Sequence, residues 1–167
     1  DQIRALALAT TDELTRIPNR RGFRAIAAQL LANAARSRAP VALLSFDLDG
    51  FKRINDVEGH ESGDNALASF ARCLLRTCRS ADVVGRLGGD EFSALLWGAD
   101  AAGVDRLLER LGRAVDAANR ANAGRLPLAY SVGVALAGAE STASLDELLA
   151  QADARMYEQK ARHKATA

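Results

Sequence analysis

Two acidic side chains stand next to segments that the sequence predicts as β-strands. Asp47 directly follows the apolar run over residues 41–46, and Asp90 follows the glycine pair Gly88-Gly89. If the two strands are neighbours, these carboxylates form a paired site for Mg²⁺, which typically binds through one or two carboxylates together with substrate phosphates and water. Such an ion neutralises triphosphate charge and can lower the pKa of an attacking hydroxyl. The alternative on these residues alone is two separate acids at strand ends.

The glycine pair before Asp90 suits either a ligand or a turn. Without Cβ atoms, Gly88 and Gly89 let backbone N–H groups approach a phosphate closely, but such a pair is also common in tight hairpin turns. Glu91 comes next, and neighbouring strand residues point to opposite faces of a sheet. At most one of the Asp90 and Glu91 carboxylates therefore faces a given site directly.

Polar residues after the first strand could surround a guanine base. Asp64 can accept from the N1–H and N2–H₂ donors of guanine, and the Asn55 amide can both donate and accept at that edge. Lys52, next to Phe51, offers a cation near metal-bound phosphates. The alternative is local capping, since Asn and Asp are both natural helix-cap residues. His60 alone is more often a turn residue than a ligand of a base.

Arg79 and Asp82 form a second candidate site. An Arg and an Asp three residues apart, on an outer face, could bind a guanine base and a phosphate. The alternative is a surface ion pair, which is worth less than about 1 kcal/mol.

Composition predicts an ordinary globular chain. The 167 residues fit one domain, with 49% hydrophobic residues, 26% charged residues and a net charge of +1. A concentrated basic face is not expected, so we do not predict nucleic acid as a partner. No apolar run approaches the roughly 20 residues that a membrane helix needs. We therefore expect no membrane segment in this chain and a cytoplasmic location, which includes the cytoplasmic part of a larger, membrane-bound protein.

The elements that must position these residues follow from the apolar pattern. We predict strands over 41–46, 82–87, 90–97 and 126–136, and helices over 1–10, 20–37, 52–57, 64–79, 101–121 and 144–163. Asn19 is the expected N-cap of the second helix, and Ser144 begins a capping box. Gly133 marks a bulge or a close contact within its strand. A hairpin requires antiparallel pairing, while helical crossovers allow parallel neighbours, so we expect a mixed sheet covered by helices in an α+β fold.

Five sequence blocks appear in order between residues 12 and 160. They are Asp12–Arg21, Phe46–Asp56 with Gly59-His60 and Gly63-Asp64, Gly88-Gly89-Asp90-Glu91-Phe92, Ser131–Val134, and the set Ala152, Asp153, Met156, Tyr157 and Lys160. Together they resemble the conserved blocks of the GGDEF family of diguanylate cyclase domains. The resemblance implies a palm-like nucleotide-cyclase fold, in which a mostly antiparallel central sheet of about five strands is flanked by helices. It also implies a GGDEF domain over residues 12–167, with residues 1–11 as the end of an N-terminal linker helix.

The family's activity would be the condensation of two GTP molecules into cyclic di-GMP and two pyrophosphates, at the interface of a transient homodimer. The resemblance implies Mg²⁺, with Mn²⁺ as an alternative, held by Asp47, the Leu48 carbonyl and Asp90. Asp90 would also act as general base, and Glu91 would assist metal binding. The implied substrate-binding residues are Asn55, His60, Asp64, Phe51, Lys52, Gly88, Gly89 and Lys160.

Regulation is also implied by the resemblance. Arg79 and Asp82 match the family's R-x-x-D site, where bound cyclic di-GMP inhibits the enzyme, and Arg110 falls where some members place a second inhibitory arginine. The alternative function is a catalytically weak module that senses cyclic di-GMP or GTP. The intact signature from Gly88 to Phe92 argues against that alternative.

The last helix departs from the family pattern A-K-x-x-G-R-N. Gln159 replaces the alanine, and His163-Lys164-Ala165 replace the final three residues. Lys164 lacks the bidentate geometry of arginine, which predicts weaker phosphate binding. Arg155 also replaces a small residue, and none of these changes removes a metal ligand.

Overall fold

The computed structural model describes residues 1–166 and shows four strands and six helices in that range. The strands are β1 (Val41–Leu48), β2 (Val83–Arg86), β3 (Glu91–Trp97) and β4 (Tyr130–Ala137). The helices are α1 (Gln2–Thr10), α2 (Arg20–Ser37), α3 (Phe51–Glu58), α4 (His60–Thr77), α5 (Ala101–Ala121) and α6 (Leu145–Thr166). The sheet order is β2-β3-β1-β4 and every neighbouring pair is antiparallel. The α+β prediction is confirmed, whereas the predicted parallel neighbours and the count of about five strands are wrong.

Strand β1 lies at the centre of the sheet because its sequence is apolar on both faces. All eight of its residues are buried. Alternate residues belong to two separate core clusters, as the two-residue period of a strand requires. One cluster packs the sheet against α4 and α5, and the other packs it against α2 and α6. Asp47 is therefore held in a well-packed element and its position is fixed.

The hairpin between β2 and β3 differs from the predicted two-residue turn. Residues 87–90 lie outside both strands, and neither Gly88 nor Gly89 has a positive φ. The Arg86 guanidinium donates to the carbonyl oxygens of Gly88 at 3.2 Å and Gly89 at 2.8 Å. These bonds hold a wider loop than the turns that need two positive φ angles.

Two other element boundaries are corrected. Helix α4 begins at His60, four residues before the predicted start, because the chain bends at Gly59 with φ of 90°. Strand β4 begins at Tyr130, because the Asn119 side chain binds the backbone N–H of Leu128 at 2.8 Å and its carbonyl at 2.9 Å. Those two backbone groups are thereby removed from strand pairing.

The predicted caps are confirmed. The Asn19 side chain accepts a hydrogen bond from the N–H of Gly22 at 3.0 Å, and Ser144 Oγ accepts from the N–H of Glu147 at 3.1 Å. Helix α1 has no buried residue. The predicted domain boundary between residues 11 and 12 stays a prediction. None of the helices in the described range has the length and apolar character needed to cross a bilayer.

Candidate active site

The end of β1 and the beginning of β3 bring Asp47 and Asp90 together. Asp47 is the cross-strand partner of Glu91, and the N–H of Leu48 donates to the carbonyl of Asp90 at 3.2 Å. The two carboxyl groups are close enough to share a hydrogen bond. The adjacency predicted from the sequence is therefore present in the fold.

The Asp90 carboxyl group does not ionise freely beside Asp47. Burial, the hydrogen bond with Asp47 and the negative charge of Asp47 raise the pKa of Asp90 to about 6, while the positive charge of Lys160 acts against the rise. Asp47 itself is only 6% exposed. A proton or a cation between the carboxylates would relieve their repulsion.

The oxygens at this point fit a hard divalent cation. Asp47 Oδ1 is fully buried and receives no hydrogen bond from residues 1–166. Lys160 Nζ lies 2.8 Å from this oxygen, as a charge contact without hydrogen-bond alignment, and donates to the Leu48 carbonyl at 3.3 Å. No group of three or more His, Cys, Asp or Glu side chains forms a metal cluster in the described part of the chain. Two carboxylates and a carbonyl are a donor set that Mg²⁺ completes with phosphates and water.

Glu91 faces helix α6. Its negative charge is the main reason that the pKa of Tyr157, on that helix, is raised. A Cβ on Gly88 would lie 3.0 Å from Glu91 Oε2. The glycine therefore leaves room for the Glu91 carboxylate beside the loop.

The hairpin loop is fixed from outside by Asp12. Arg86 Nη1 lies 3.1 Å from one oxygen of Asp12, and Thr15 Oγ1 donates to the other at 2.6 Å. Burial acts to raise the pKa of Asp12, but the bonds from Thr15 and the Arg86 charge outweigh it, so the pKa lies below its usual range. The first sequence block thus contributes to the site indirectly, by holding the arginine that binds the Gly88 and Gly89 carbonyls.

The residues proposed to read guanine lie on α3 and α4. Asn55 is in the last turn of α3, and a Cβ on Gly63 would lie 1.8 Å from Asn55 Oδ1, so the amide packs directly on the α4 backbone beside Asp64. Neither side chain caps a helix, because Gly50 and Gly59 occupy the two N-cap positions. The capping alternative is therefore wrong for Asn55 and Asp64.

The remaining proposed substrate contacts lie on α3, on α4 and in the hairpin loop. His60 is exposed at the first position of α4, and Lys52 is exposed in the first turn of α3. Phe51 is half-buried and packs on the core. Gly89 is exposed, and a Cβ added there would point into open space, so its backbone is accessible to a ligand.

A polar network next to Asp47 and Leu48 was not predicted from the sequence. The Ser131 hydroxyl donates to Asp49 Oδ1 at 2.7 Å, and His163 Nδ1 lies 2.8 Å from Asp49 Oδ2 and 2.9 Å from Ser131 Oγ. These residues are 32 to 114 positions apart in the chain, so no local spacing indicates their contact.

Comparison with known proteins identifies the family. The family model for the diguanylate cyclase GGDEF domain matches residues 9–166. The chain belongs to the GGDEF domain family. Its palm-like sheet and its signature loop are therefore shared with diguanylate cyclases, as the sequence blocks predicted.

Relatives of this GGDEF domain include larger proteins. The chain is 33% identical over 157 residues to the probable diguanylate cyclase DgcC of Escherichia coli K12, covering 94% of this chain and 42% of DgcC. It is 36% identical over 160 residues to the response regulator PleD of Caulobacter vibrioides, covering 94% of this chain and 35% of PleD. A crystal structure of the coiled coil and GGDEF domain of DgcB from Caulobacter crescentus, in complex with cyclic di-GMP, has a TM-score of 0.85 and 26% identity, covering 96% of this chain and 85% of that one. The chain thus spans less than half of DgcC and of PleD.

The R-x-x-D residues of the GGDEF domain line a separate cavity at the other end of the β2–β3 hairpin. Arg79, Asp82 and Arg110 surround about 140 Å³ of space, together with Arg106, which the sequence analysis missed. Asp82 accepts hydrogen bonds from the N–H groups of Arg79 at 2.8 Å and Trp97 at 3.0 Å. Arg79 and Asp82 do not form the surface ion pair of the alternative interpretation; the carboxylate binds backbone instead.

Proposed function

We propose that this domain is a diguanylate cyclase, in which two copies each hold one GTP and join them into cyclic di-GMP. The observation that carries the proposal is the meeting of Asp47 and Asp90 at the ends of adjacent strands, with the Leu48 carbonyl beside them. The intact signature loop and the family membership support it.

Asp47, the Leu48 carbonyl and Asp90 would hold Mg²⁺, or Mn²⁺ in its place. The buried, hydrogen-bond-free Asp47 Oδ1 and the raised pKa of Asp90 indicate a site that gains from positive charge. When bound, the ion would supply charge neutralisation for the triphosphate. Glu91 lies one residue beyond, with its charge near Tyr157 of α6, and would assist this role from the α6 side.

Asp90 would act as the general base. The 3′-hydroxyl of one GTP would lose its proton to the Asp90 carboxylate while its oxygen attacks the α-phosphorus of the other GTP. The bond to pyrophosphate then breaks, and the same exchange in the opposite direction closes the ring. Burial and the neighbouring Asp47 charge raise the pKa of Asp90, and a raised pKa favours acceptance of a proton by this carboxylate.

The other residues would bind and align the nucleotide. Asp64 and Asn55 would accept and donate at the guanine edge, with His60 beside them at the start of α4. The phosphates would meet Lys52, Phe51, Lys160 and the N–H groups of Gly88 and Gly89. Alignment of this kind converts an encounter of two substrates into a step within one complex.

Two copies are required because the described residues of each chain form one site of this kind, at Asp47, Leu48 and Asp90. The 3′-oxygen held by one copy can reach an α-phosphorus only if a second copy presents it. A transient homodimer is therefore part of the proposal, and signals that align two copies would control the rate.

The product would act back on the enzyme through the arginine-lined cavity. Arg79 and Arg110 would bind the phosphates of cyclic di-GMP, and Asp82 would orient the segment that carries Arg79. Occupation of this cavity would restrain the encounter of two domains. We expect Arg79→Ala to abolish tight cyclic di-GMP binding in calorimetry; unchanged affinity would contradict the inhibitory role.

Product analysis tests the enzymatic proposal. The protein is incubated with GTP and Mg²⁺, alone and fused to a dimerising coiled coil, and the nucleotides are separated by chromatography. We expect cyclic di-GMP with two pyrophosphates for each product, and no product from Asp90→Ala. Asp105→Ala, an exposed position on α5, is the matched control. Unchanged GTP in the dimerised wild type, with retained binding of cyclic di-GMP, would support the sensor alternative.

A further inference from the structure

The C-terminal half of α6 has no apolar anchor. The buried residues of this helix end at Met156, and every position from 157 to 166 is exposed or half-buried. A helix end without buried side chains opens easily, since packing of an apolar face supplies most helical stability in proteins. Lys160, which contacts Asp47 and the Leu48 carbonyl, lies in this segment. Polar contacts must therefore hold it in place.

Two of those contacts flank Lys160. Gln159 Oε1 accepts a hydrogen bond from the backbone N–H of Val132 at 2.7 Å, and His163 Nδ1 lies 2.8 Å from Asp49 Oδ2. We refer to Gln159 and His163 as the α6 clamp. Because residues four apart share one face of a helix, both members of the clamp face the sheet together.

The clamp uses an open edge of the sheet. Strand β4 has β1 as its only neighbour in the sheet of the described residues, so the outer N–H and C=O groups of β4 need other partners. Gln159 binds one of these groups at Val132, and Arg155 Nη1 donates to another at the carbonyl of Val134. Helix α6 thus covers the exposed edge with side chains spaced four residues apart.

Gly133 allows the helix to come close enough for these contacts. A Cβ at this position would lie 1.9 Å from the Ala152 carbonyl oxygen and 2.3 Å from the Met156 nitrogen. The α6 backbone therefore rests directly on β4, as the close contact predicted from the sequence. One turn further along, Gln159 reaches the edge.

The clamp also reaches the residue after the metal-binding carbonyl. Asp49 follows Leu48 and is fixed by three partners: its N–H donates to the Ala129 carbonyl at 2.8 Å, and its carboxylate binds Ser131 and His163. Helix α6 is thereby tied to residues 47–49 through Lys160 on one turn and His163 on the next. Movement of α6 would displace both contacts.

We propose that Gln159 and His163 are positioning residues, which hold α6 so that Lys160 is presented to Asp47, Leu48 and the triphosphate of the bound nucleotide. This inference rests on the proposed function, because it assigns the clamp to the same GTP site. It also gives a role to two positions at which this chain departs from the family pattern.

The first experiment needs no nucleotide. In the double variant Gln159→Ala/His163→Ala, we expect the Val132 amide to exchange hydrogen at least tenfold faster, since its acceptor is lost. We also expect the amide NMR signals of Leu48 and Asp49 to move in the direction that Lys160→Ala moves them. Unchanged signals at these two residues would overturn the proposal.

The second experiment measures binding of a non-hydrolysable GTP analogue with Mg²⁺, at a temperature well below the melting point of every variant. The double variant should bind about tenfold more weakly, the size of one lost charge-assisted contact. In a Lys160→Ala background the same two changes should cost less than about twofold, because neighbours that act through one group are not additive. Equal losses in both backgrounds would show that the clamp acts only on general stability, and would overturn the proposal.

Two further variants complete the design. Glu158→Ala changes an exposed neighbour on α6 and should behave as the wild type in both experiments. His163→Asn keeps an N–H near the place of Nδ1. With Gln159 unchanged, the His163→Asn variant should therefore keep the analogue affinity that the His163→Ala variant loses. If the wild type binds no GTP analogue, the proposed function fails, and the Leu48 and Asp49 signals alone then decide whether the clamp positions this corner.

Discussion

The β2–β3 hairpin carries an aspartate at each end, and the fold satisfies the two very differently. Asp82, before β2, accepts backbone N–H groups from Arg79 and Trp97 on its two oxygens. Asp90, the last residue of the hairpin loop, is crowded by Asp47, and burial together with that neighbour raises its pKa to about 6. One carboxylate is fully used by the protein, whereas the charge of Lys160 only partly compensates the other.

The contrast separates an acid that the fold uses from an acid to which we assign a role in the proposed function. Removing the charge of a carboxylate that binds two backbone donors costs stability. Removing the charge of a carboxylate that faces another carboxylate relieves repulsion, so stability is retained or increased while the chemistry is lost. The two ends of the hairpin should therefore respond in opposite ways to similar substitutions.

The largest effect is expected at the loop end. Asp90→Asn should reduce the rate of cyclic di-GMP formation roughly 10³-fold, since the amide neither accepts the 3′-proton nor carries the charge that Mg²⁺ needs. The free energy of unfolding at pH 8 in chelator should not fall, because an amide can donate to Asp47. Rate assays check the expected loss of activity, and urea unfolding checks the expected stability. A loss of stability equal to that of a core substitution would contradict the predicted difference between Asp90 and Asp82.

The opposite response is expected at the other end. Asp82→Ala should lower the free energy of unfolding by about 2 kcal/mol, because the N–H groups of Arg79 and Trp97 lose a charged acceptor. Denaturant unfolding measures the change, and Asp105→Ala on exposed α5 provides the control. A wild-type midpoint for Asp82→Ala would mean that the carboxylate is not needed to hold the segment before β2.

The arginine-lined cavity sharpens the same contrast, because its ligand would be an anion rather than a cation. Arg106 lies one helical turn before Arg110 and lines the same cavity. Arg106→Ala should weaken cyclic di-GMP binding about fivefold, as expected for one partly solvated phosphate contact. Calorimetry can compare it with Arg113→Ala, which changes an exposed arginine of the same helix. Equal affinities for the two variants would remove Arg106 from the site.

The sequence was informative where the relevant residues are close in the chain. The block from Phe46 to Asp56 places Asp47 at the end of a buried strand and Asn55 in the helix that follows it. The glycine pair places Asp90 at a hairpin loop. Strand alternation and helix periodicity are local properties, so these positions were predicted correctly. The predicted start of β4 was wrong because Asn119, nine residues earlier, takes the backbone groups of Leu128.

Contacts between distant residues could not be derived in this way. His163 meets Asp49 across 114 positions, and nothing about a histidine near the end of a polar helix indicates that partner. Arg106 looks like any exposed arginine on α5 until the fold places it beside Arg79. The wide hairpin loop was missed because its shape depends on Arg86, which is itself held by Asp12 across 74 positions. Tertiary hydrogen bonds decided each of these features.

The smallest expected effect concerns pH and Mg²⁺ without nucleotide. The folded-state pKa of Asp90, about 6, lies above the ordinary value of 3.8, so between these values the folded chain keeps a proton that the unfolded chain has released. Asp90 therefore does not lower the free energy of unfolding at low pH. Its destabilising contribution grows as the pH rises through that window to about 6. Because Mg²⁺ would replace the proton between the carboxylates, it should raise the melting temperature by about 2 °C at pH 8 and by less at pH 5. Calorimetry of the wild type and of Asp90→Asn checks this. The shift in melting temperature caused by Mg²⁺ should no longer depend on pH in the variant. The same shift at both pH values in the wild type would show that Mg²⁺ acts elsewhere.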